Sequence, residues 1–319
     1  QRQMCIRDRS ASLCLSMITN GATDNTLAEM QDVLGFPANT FSLDDLNNYN
    51  QKLTSALLDL DNTTQLGIAN SIWIEEGFKV YDSFVDVNKK MYDAQVQELD
   101  FTSPTAKDVI NQWCATQTNN CIKEVIQEIP ADARMYLINA LYFKGIWKSQ
   151  FDKSATGQDN FTNVDGSQQK VAMMNQTATF NYTQTDDFSI AELPYGNEAF
   201  SMVILLPSGD KTLDESLPSL NYENWKQWSK NMAGKELQIK LPRFKVEYDK
   251  ELEEDMIAMG MKDAFDAYKA KFANMSGAEL YIGLLQQFTY INVDEEGTEA
   301  AAVLSLIHIS EPTRQAEIS

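Results

Sequence analysis

Side chains that could perform hydrolysis do not form a recognisable set in this sequence. Nucleophilic catalysis by serine or cysteine usually needs a neighbouring base, most often histidine, and His308 is the only histidine in the chain. The sequence has no Gly-x-Ser-x-Gly turn, no His-Glu-x-x-His pair and no Walker loop. Adjacent carboxylates such as Glu295 and Glu296 do not face each other across a substrate, so we interpret them as surface charge. The sequence therefore predicts no enzyme, no cofactor and no metal site.

The cysteines give no metal-binding or redox motif. Cys5, Cys14, Cys114 and Cys121 contain no Cys-x-x-Cys pair. Cys114 and Cys121 lie seven positions apart on sequence with a helical pattern, which leaves a local disulfide as an alternative. We predict buried free thiols, since unpaired cysteine behaves as a small apolar residue.

One segment near the end of the chain points to a mechanical role instead. The alternating stretch Thr289–Asp294 predicts a β-strand, and it leads into Glu296–Val303, which is rich in alanine. Alanine is a poor strand former and an excellent helix former. One interpretation is an alanine-rich linker or short helix. The other is a strand that slides between two existing strands, where only small side chains fit.

Helical and strand patterns interleave along the chain and indicate one α+β domain. A helix is predicted from Pro104, and a second helix before Pro130 is predicted from apolar residues at i, i+3, i+4 and i+7, namely Ile122, Val125, Ile126 and Ile129. Phe200–Leu206 reads as a strand buried on both faces. Residues 237–241 and 244–248 alternate between apolar and polar, which predicts two half-exposed strands.

Composition excludes several functions. The net charge of −20 argues against nucleic acid and disfavours an anionic membrane surface. The sequence has no run of about 20 apolar residues that could span a bilayer. Residues 1–9 carry three arginines, and residues 304–319 differ in character from the acidic middle. We predict that both ends are non-native tails; the alternative is ordinary variable termini.

Several blocks, in the same order along the chain, resemble the serpin family. Asn139–Trp147 (Asn-Ala-Leu-Tyr-Phe-Lys-Gly-Ile-Trp) is similar to a family segment, and so are Glu192–Tyr195, Ser201–Pro207 and Leu241–Phe244. Val293–Ala302 is similar to the hinge of the family's reactive loop. The resemblance covers about residues 10–303, which we predict to be an incomplete serpin domain.

The resemblance implies an α+β fold of three β-sheets with about eight or nine helices. It also suggests a bacterial member truncated at both ends, without the first helix and the closing C-terminal strands. The implied function is a suicide-substrate inhibitor of serine or cysteine proteases, monomeric, needing neither cofactor nor metal. We expect an extracellular or periplasmic location, although this chain shows no signal peptide. The alternative is a non-inhibitory scaffold or carrier.

The resemblance also assigns site residues. The implied hinge of the reactive loop consists of Glu296, Gly297, Thr298, Glu299, Ala300, Ala301, Ala302 and Val303. Trp147 is similar to a family tryptophan near the point where insertion begins, although an ordinary core aromatic fits equally well. Gln287 stands where many members carry a histidine that gates the main sheet, so we expect altered gating rather than its loss. Counting along the loop places the nominal scissile bond at Glu311-Pro312, with Arg314 as an alternative bait.

Alternation along a strand predicts how the hinge would face. If Thr298 points into the core, Ala300 and Ala302 point there too, and Glu299 and Ala301 point to water. Gly297 is expected to supply unusual backbone angles where the strand folds in.

Overall fold

The structure, a computed structural model, describes residues 6–163 and 165–310. The α-helices are α1 (Ile6–Thr19), α2 (Asp24–Val33), α3 (Leu43–Leu58), α4 (Asp82–Tyr92), α5 (Ala106–Gln117), α6 (Leu213–Ser216), α7 (Tyr222–Asn231) and α8 (Glu253–Met259). The strands are β1 (Gln65–Glu75), β2 (Ala94–Leu99), β3 (Ala133–Ile146), β4 (Gly157–Thr162), β5 (Gln168–Gln184), β6 (Phe188–Pro194), β7 (Ser201–Pro207), β8 (Ala233–Pro242), β9 (Phe244–Glu251), β10 (Tyr281–Ile282), β11 (Leu285–Val293) and β12 (Gly297–Ser310). Short 3₁₀ turns occupy Lys153–Ala155, Leu217–Ser219 and Asp263–Phe265.

The larger sheet has seven strands. Its order is β2-β1-β3-β12-β11-β9, and β10 pairs with the far end of β12. β1 and β2 run parallel, whereas the other neighbours in the sheet are antiparallel. The last strand of the described chain, β12, therefore lies in the middle of the sheet.

The second sheet is built around the long strand β5. Its order is β4-β5-β6-β7, with β8 also paired to β5. The first part of β5 pairs with β4 and most of β5 pairs with β8, whereas its last residues pair with β6. Two groups of strands thus share β5 and form one hydrogen-bonded network, so the described residues contain two such networks where the resemblance implies three sheets. The eight α-helices of the described residues agree with the expected eight or nine.

Both faces of the main sheet are covered. On one face, Ile110 of α5 and Val125 of the following segment pack against β3 and β12. On the other face, one half of the sheet packs on α1, and the other half packs on apolar side chains of the second sheet such as Met174 and Leu193. A strand in the centre of this sheet is therefore enclosed on both sides.

The predicted helix before Pro130 is wrong. Residues 121–130 form an irregular segment without regular helix, although Ile122, Val125 and Ile126 are buried as the pattern indicated. The side chain of Asn111 on α5 replaces the helical hydrogen bonds: its Oδ1 accepts from the backbone N–H groups of Val125 and Ile126, each at 2.9 Å. Its Nδ2 donates to the carbonyl of Ile126 at 2.8 Å. A polar side chain from a neighbouring helix thus satisfies the backbone groups.

The predicted strands near the middle of the chain are present, with two corrections. β8 and β9 lie where the two half-exposed strands are predicted. β9, however, is exposed along almost its whole length, including Val246 (45%) and Tyr248 (47%), because it is the edge strand of the main sheet in the described chain. β7 matches Phe200–Leu206, but it is only half-buried and Leu206 is 64% exposed. The reason is its position: β7 is the last strand of its sheet in the described part of the chain.

Candidate functional site: an alanine-rich strand inside the main sheet

β12 lies between β3 and β11 and is antiparallel to both. Thr298 faces Gly145 on one side and Val293 on the other, and Val303 faces Ala140 and Phe288. The predicted hinge residues Gly297 to Val303 are thus all in this strand, and Glu296 lies in the turn before it. Of the two interpretations of this segment, the linker or short helix is not the conformation in the structure.

A tight turn connects β11 to β12. The backbone N–H of Asp294 donates to the carbonyl of Gly297 at 3.0 Å. The carboxylate of Asp294 accepts from the backbone N–H groups of Glu296 (2.9 Å) and Gly297 (3.1 Å). Such side-chain to backbone bonds are typical of aspartate in turns. Lys153 adds an exposed ion pair to Glu296 at 2.5 Å.

Gly297 is required for close approach of two backbones. A Cβ at this position would lie 2.0 Å from the carbonyl oxygen of Gly145 on β3. Gly297 is not among the residues with positive φ, so the predicted role in unusual backbone angles is wrong. Gly145 is also confined, because a Cβ there would lie 2.8 Å from the ring of Tyr195. β3 and β12 therefore meet through a pair of glycines.

Thr298 is anchored to the second sheet. Its hydroxyl accepts a hydrogen bond from the hydroxyl of Tyr195 at 2.6 Å, and both side chains are buried. The ring of Tyr195 stacks on Trp147 with centroids 4.5 Å apart. Burial raises the pKa of Tyr195 above its usual value, so the phenol keeps the proton that it donates to Thr298.

Trp147 contacts the turn directly. Its indole Nε1 donates to the carbonyl of Asp294 at 2.9 Å, and its backbone N–H donates to the carbonyl of Glu296 at 2.9 Å. The side chain is only 3% exposed. Trp147 is thus a core aromatic that also bonds the turn before β12. Its role near the point where insertion begins stays a prediction.

Glu299 is held on the α5 side of the sheet. The hydroxyl of Tyr142 on β3 donates to its carboxylate at 2.6 Å, and the side-chain amide of Asn119 donates to it at 3.5 Å. Asn119 also donates to the hydroxyl of Tyr142 at 3.2 Å. Burial, followed by the bond to Glu299, raises the pKa of Tyr142. Three elements therefore meet at the first outward-facing residue of β12.

The alanines of β12 are buried on both faces of the sheet. Ala300 packs with the second sheet, as predicted for the inward face, and Ala302 is fully buried. Ala301 is wrongly predicted to face water: it is 1% exposed and packs in the cluster beneath α5. Alternation sets which side a residue faces, but α5 and residues 121–130 cover the side that was expected to be open. Val303 is buried in the same cluster.

Gln287 lies on β11, directly opposite Leu304 of β12, and it is 4% exposed. Asn139 of β3 faces Leu304 from the other side. Leu304 of β12 therefore separates the strands that carry Asn139 and Gln287. The proposed gating role of Gln287 remains a prediction.

The remaining predicted site residues lie at the edge of the described chain. The strand continues through residues 304–310, which includes the backbone of His308. Glu311, Pro312 and Arg314 lie outside the described residues. The predicted non-native character of residues 1–9 and 304–319 stays a prediction.

Cys114 and Cys121 form no disulfide: Cys114 is buried, Cys121 is half-buried, and both are free thiols. Cys14 is buried, and its Sγ donates to the carbonyl of Leu137 at 3.3 Å. The alternative of a Cys114–Cys121 disulfide is therefore not realised. Burial raises the pKa of Cys114 to about 12, and burial together with the charge of Glu299 raises the pKa of Cys121 to about 11. Cys121 thus lies near β12.

Two further findings concern metals and membranes. Within residues 6–163 and 165–310, no group of three or more potential ligands is arranged to hold a metal ion. In the same ranges, no helix has the length and apolar character needed to cross a bilayer.

Sequence reasoning missed the polar partners of β12. Tyr142 and Gly145 belong to the block Asn139–Trp147, and Tyr195 ends the block Glu192–Tyr195, but nothing in the sequence indicates that they meet Thr298 and Glu299. Asn119 is 180 positions from Glu299. Only a paired pattern of changes among relatives could have signalled such distant contacts.

Comparison with known proteins identifies the family. The serpin (serine protease inhibitor) family model matches residues 8–319. An uncharacterized serpin-like protein of Methanosarcina acetivorans is 33% identical over 299 residues, covering 92% of this chain and 69% of the relative. Serpin B6 of Macaca fascicularis is 35% identical over 309 residues, covering 93% of this chain and 81% of the relative.

A solved structure shares the fold. The crystal structure of the thermophilic serpin tengpin in the latent state has a TM-score of 0.86 and 33% identity, and the match covers 95% of this chain and 82% of tengpin. With the family model spanning almost the whole chain, this protein belongs to the serpins, a family whose members are usually protease inhibitors rather than enzymes.

Proposed function

We propose that this protein is a suicide-substrate inhibitor of serine proteases, and of cysteine proteases as a second class, that works by inserting its reactive loop into the main sheet. In this proposal Glu296–Val303 is the hinge, and the structure represents the inserted arrangement. The partner is a protease, and the active unit is a monomer. An extracellular or periplasmic location stays a prediction.

The observation that carries the proposal is the place of β12. It is the last strand within residues 165–310, yet it lies between β3 and β11. Its first residues are Gly, Thr, Glu and three alanines, and every residue from Ala300 to Leu304 is at most 5% exposed. Small side chains let a late strand enter a covered sheet without displacing either layer. A strand fixed in the sheet from the start would gain more from β-branched residues.

The mechanism follows from the chemistry of the protease and from this geometry. The protease nucleophile attacks a carbonyl in the loop beyond Val303, the peptide bond breaks, and the amine side leaves as a new N-terminus. The loop then remains joined to the protease as an ester or thioester. Insertion of Gly297 and the following residues forms backbone hydrogen bonds to β3 and β11 and carries the protease along the sheet. The same strand addition and release of stored strain are general devices of serpins.

The similarity to tengpin supports the same proposal, because that serpin is described in a latent state. Trp147, Tyr195 and Thr298 would hold the entry point of the inserted strand closed, through the stack at 4.5 Å and the hydrogen bond at 2.6 Å. Gln287 and Asn139 would mark where the sheet must open.

The test uses protein expressed from the intact gene. It is incubated with trypsin-, chymotrypsin- and elastase-like proteases and with a papain-like protease, and the products are separated in SDS. We expect an adduct with at least one protease that survives denaturation and contains both chains. A protease with its nucleophile replaced by alanine is the control and should give no adduct. Simple cleavage by every protease, without adduct, would leave the non-inhibitory scaffold or carrier.

A further inference from the structure

A groove lies on the α5 side of the main sheet, away from the turn that precedes β12. It occupies about 940 Å³ between the irregular segment after α5 and strands β9 and β11. Its lining includes Phe288 and Tyr290 of β11, together with Ile122 and Val125 of the segment. The volume falls within the range of ligand sites, which is about 300–1,000 Å³. The groove therefore offers apolar surface large enough for a ligand.

Carboxylates dominate the charged residues of this groove. The acidic lining residues are Glu124, Glu128, Glu247, Asp249, Glu251 and Glu299, and the basic ones are Lys123 and Lys245. Lys245 is already engaged, since its Nζ lies 2.7 Å from Glu247 and 5.1 Å from the ring centre of Tyr290. Within the described chain, the ion pairs found include none for Glu124, Glu128 or Glu251. An apolar occupant that carries positive charge would complement this surface, whereas an anion would be repelled.

The spacing of the acidic residues on β9 indicates which kind of ligand fits the groove. Glu247, Asp249 and Glu251 occupy alternate positions of the strand and line the groove together. Alternate residues on a strand lie about 6.6 Å apart on one face. An extended peptide has the same period, so lysines or arginines at every second position match the row of carboxylates. The seven strand residues from Lys245 to Glu251 span roughly the length of six or seven peptide residues.

We infer that this groove binds an extended basic peptide segment with lysine or arginine at alternate positions and apolar residues between them. The charged side chains would pair with the acids of β9. Their aliphatic stems and the intervening apolar residues would cover the partly buried Phe288 and Tyr290, since long basic side chains pack apolar surface while their charged ends stay in water.

The groove is connected to β12 through Glu299. That residue lines the groove and is also bonded to Tyr142 and Asn119. A ligand that contacts a residue present only when β12 is in the sheet binds the inserted arrangement better, and it shifts the population toward it. This coupling rests on the proposed function, whereas the binding itself does not.

Direct titration of the full chain tests the binding. The probe is an acetylated and amidated hexapeptide of alternating lysine and valine, measured by calorimetry at about 20 mM and about 500 mM salt. We expect one site and at least tenfold weaker binding at the higher salt. A peptide with glutamate in place of lysine should not bind. Spermine carries positive charge without apolar side chains and should bind at least tenfold more weakly. Equal affinity would show that Phe288 and Tyr290 do not contribute to binding.

Charge-reversal variants test whether the peptide binds in this groove. The double variant Asp249→Lys/Glu251→Lys should lose at least tenfold in affinity for the lysine–valine peptide at low salt. Asp210→Lys/Glu236→Lys is the matched control with the same change in net charge, because both residues are exposed acids that do not line the groove, and it should bind like the unchanged protein. Circular dichroism checks that the variants fold. No binding by the unchanged protein, or equal binding by the double variant and the control, would overturn the inference.

Glu299→Gln tests the connection to β12. We expect a several-fold loss of affinity for the same peptide; an unchanged affinity would separate the groove from the inserted strand. None of these titrations involves a protease. Failure to form protease adducts would therefore count against the proposed function, and failure to bind the peptide would count against this inference.

Discussion

At the residue scale, the hydroxyl of Thr298 accepts a hydrogen bond from Tyr195 at 2.6 Å, and the residue is 4% exposed. Neighbouring Gly297 is confined by the backbone of Gly145. A long charged side chain at position 298 would therefore be shielded from water and would clash with its neighbours. The next residue, Glu299, is half-buried and keeps its carboxylate on two polar partners. Positions 298 and 299 of β12 thus differ sharply in whether they tolerate a charged side chain.

Under the proposed function, Thr298→Arg should make the protein a substrate of the target protease instead of its inhibitor. An unpaired buried charge costs about 3–5 kcal/mol, so insertion would slow and the protease would finish hydrolysis first. The measurement is the ratio of SDS-stable adduct to cleaved protein after mixing with the target protease. Thr298→Ser keeps the hydroxyl and should retain most of the adduct. Adduct formation by the arginine variant at the original ratio would contradict strand insertion at this position.

Cys121 should react slowly with alkylating reagents. Burial and the nearby carboxylate of Glu299 raise its thiol pKa to about 11, so the reactive thiolate is scarce at neutral pH and increases as the pH approaches that value. At pH 8 we expect alkylation by iodoacetamide about a hundredfold slower than for a free cysteine of pKa about 8.5. Peptide mapping by mass spectrometry after timed quenching measures the rate.

The control for this measurement is Glu299→Gln. Removing the negative charge should lower the pKa of Cys121 and speed its alkylation at pH 8. Cys114 stays a buried internal reference, because its pKa is raised to about 12 by burial. Rapid alkylation of Cys121 in the unchanged protein would show that residues 121–130 and β12 are not arranged as described.

At the element scale, β12 depends on how closely it approaches β3. The pairs Gly297–Ile146 and Thr298–Gly145 begin the ladder, and the turn at Asp294 sets its register. Small residues at this end permit contact between backbones, while Tyr195 and Trp147 pack over it. β12 therefore needs glycine at position 297, where the strand begins, and small side chains in its centre.

Gly297→Ala should destabilise β12 in the main sheet. The added Cβ would lie 2.0 Å from the Gly145 oxygen, and backbone cannot move aside as a flexible side chain can, so we expect a loss of about 3 kcal/mol in the free energy of unfolding. Urea unfolding followed by tryptophan fluorescence measures it. Gly157→Ala is the matched control, since no atom lies within 4 Å of its added Cβ. Equal stability of the two variants would contradict the close approach of β3 and β12.

At the scale of the whole molecule, two features have opposite effects on self-association. The net charge of −20 keeps copies apart, whereas an uncovered apolar sheet edge favours their contact. β7 ends the second sheet in the described chain, and its Leu206 is 64% exposed. Open apolar edges pair with other chains, whereas like charge keeps copies apart over about one Debye length, roughly 10 Å at 0.1 M salt. The predicted monomer is therefore expected at low salt and self-association at high salt.

Leu206→Lys should suppress this association. Light scattering of the 319-residue chain at rising salt should show aggregation in the unchanged protein and markedly less in the variant. Tyr268→Lys adds the same charge at an 85% exposed loop residue and should aggregate like the unchanged protein. Equal suppression by both variants would show that net charge, and not the β7 edge, controls association.

The sequence by itself determined the family, the presence of a single histidine at position 308, and the small-residue composition of Gly297–Val303, because these depend on residue types and their order. Only the tertiary structure decided that Ala301 is buried, that Gly297 serves close approach, and that residues 121–130 are not a helix. Each of these depends on an element distant in sequence: α5 covers Ala301, Gly145 confines Gly297, and Asn111 satisfies the backbone of Val125. Local pattern carries no information about such partners, since the contacts exist only after the chain has folded.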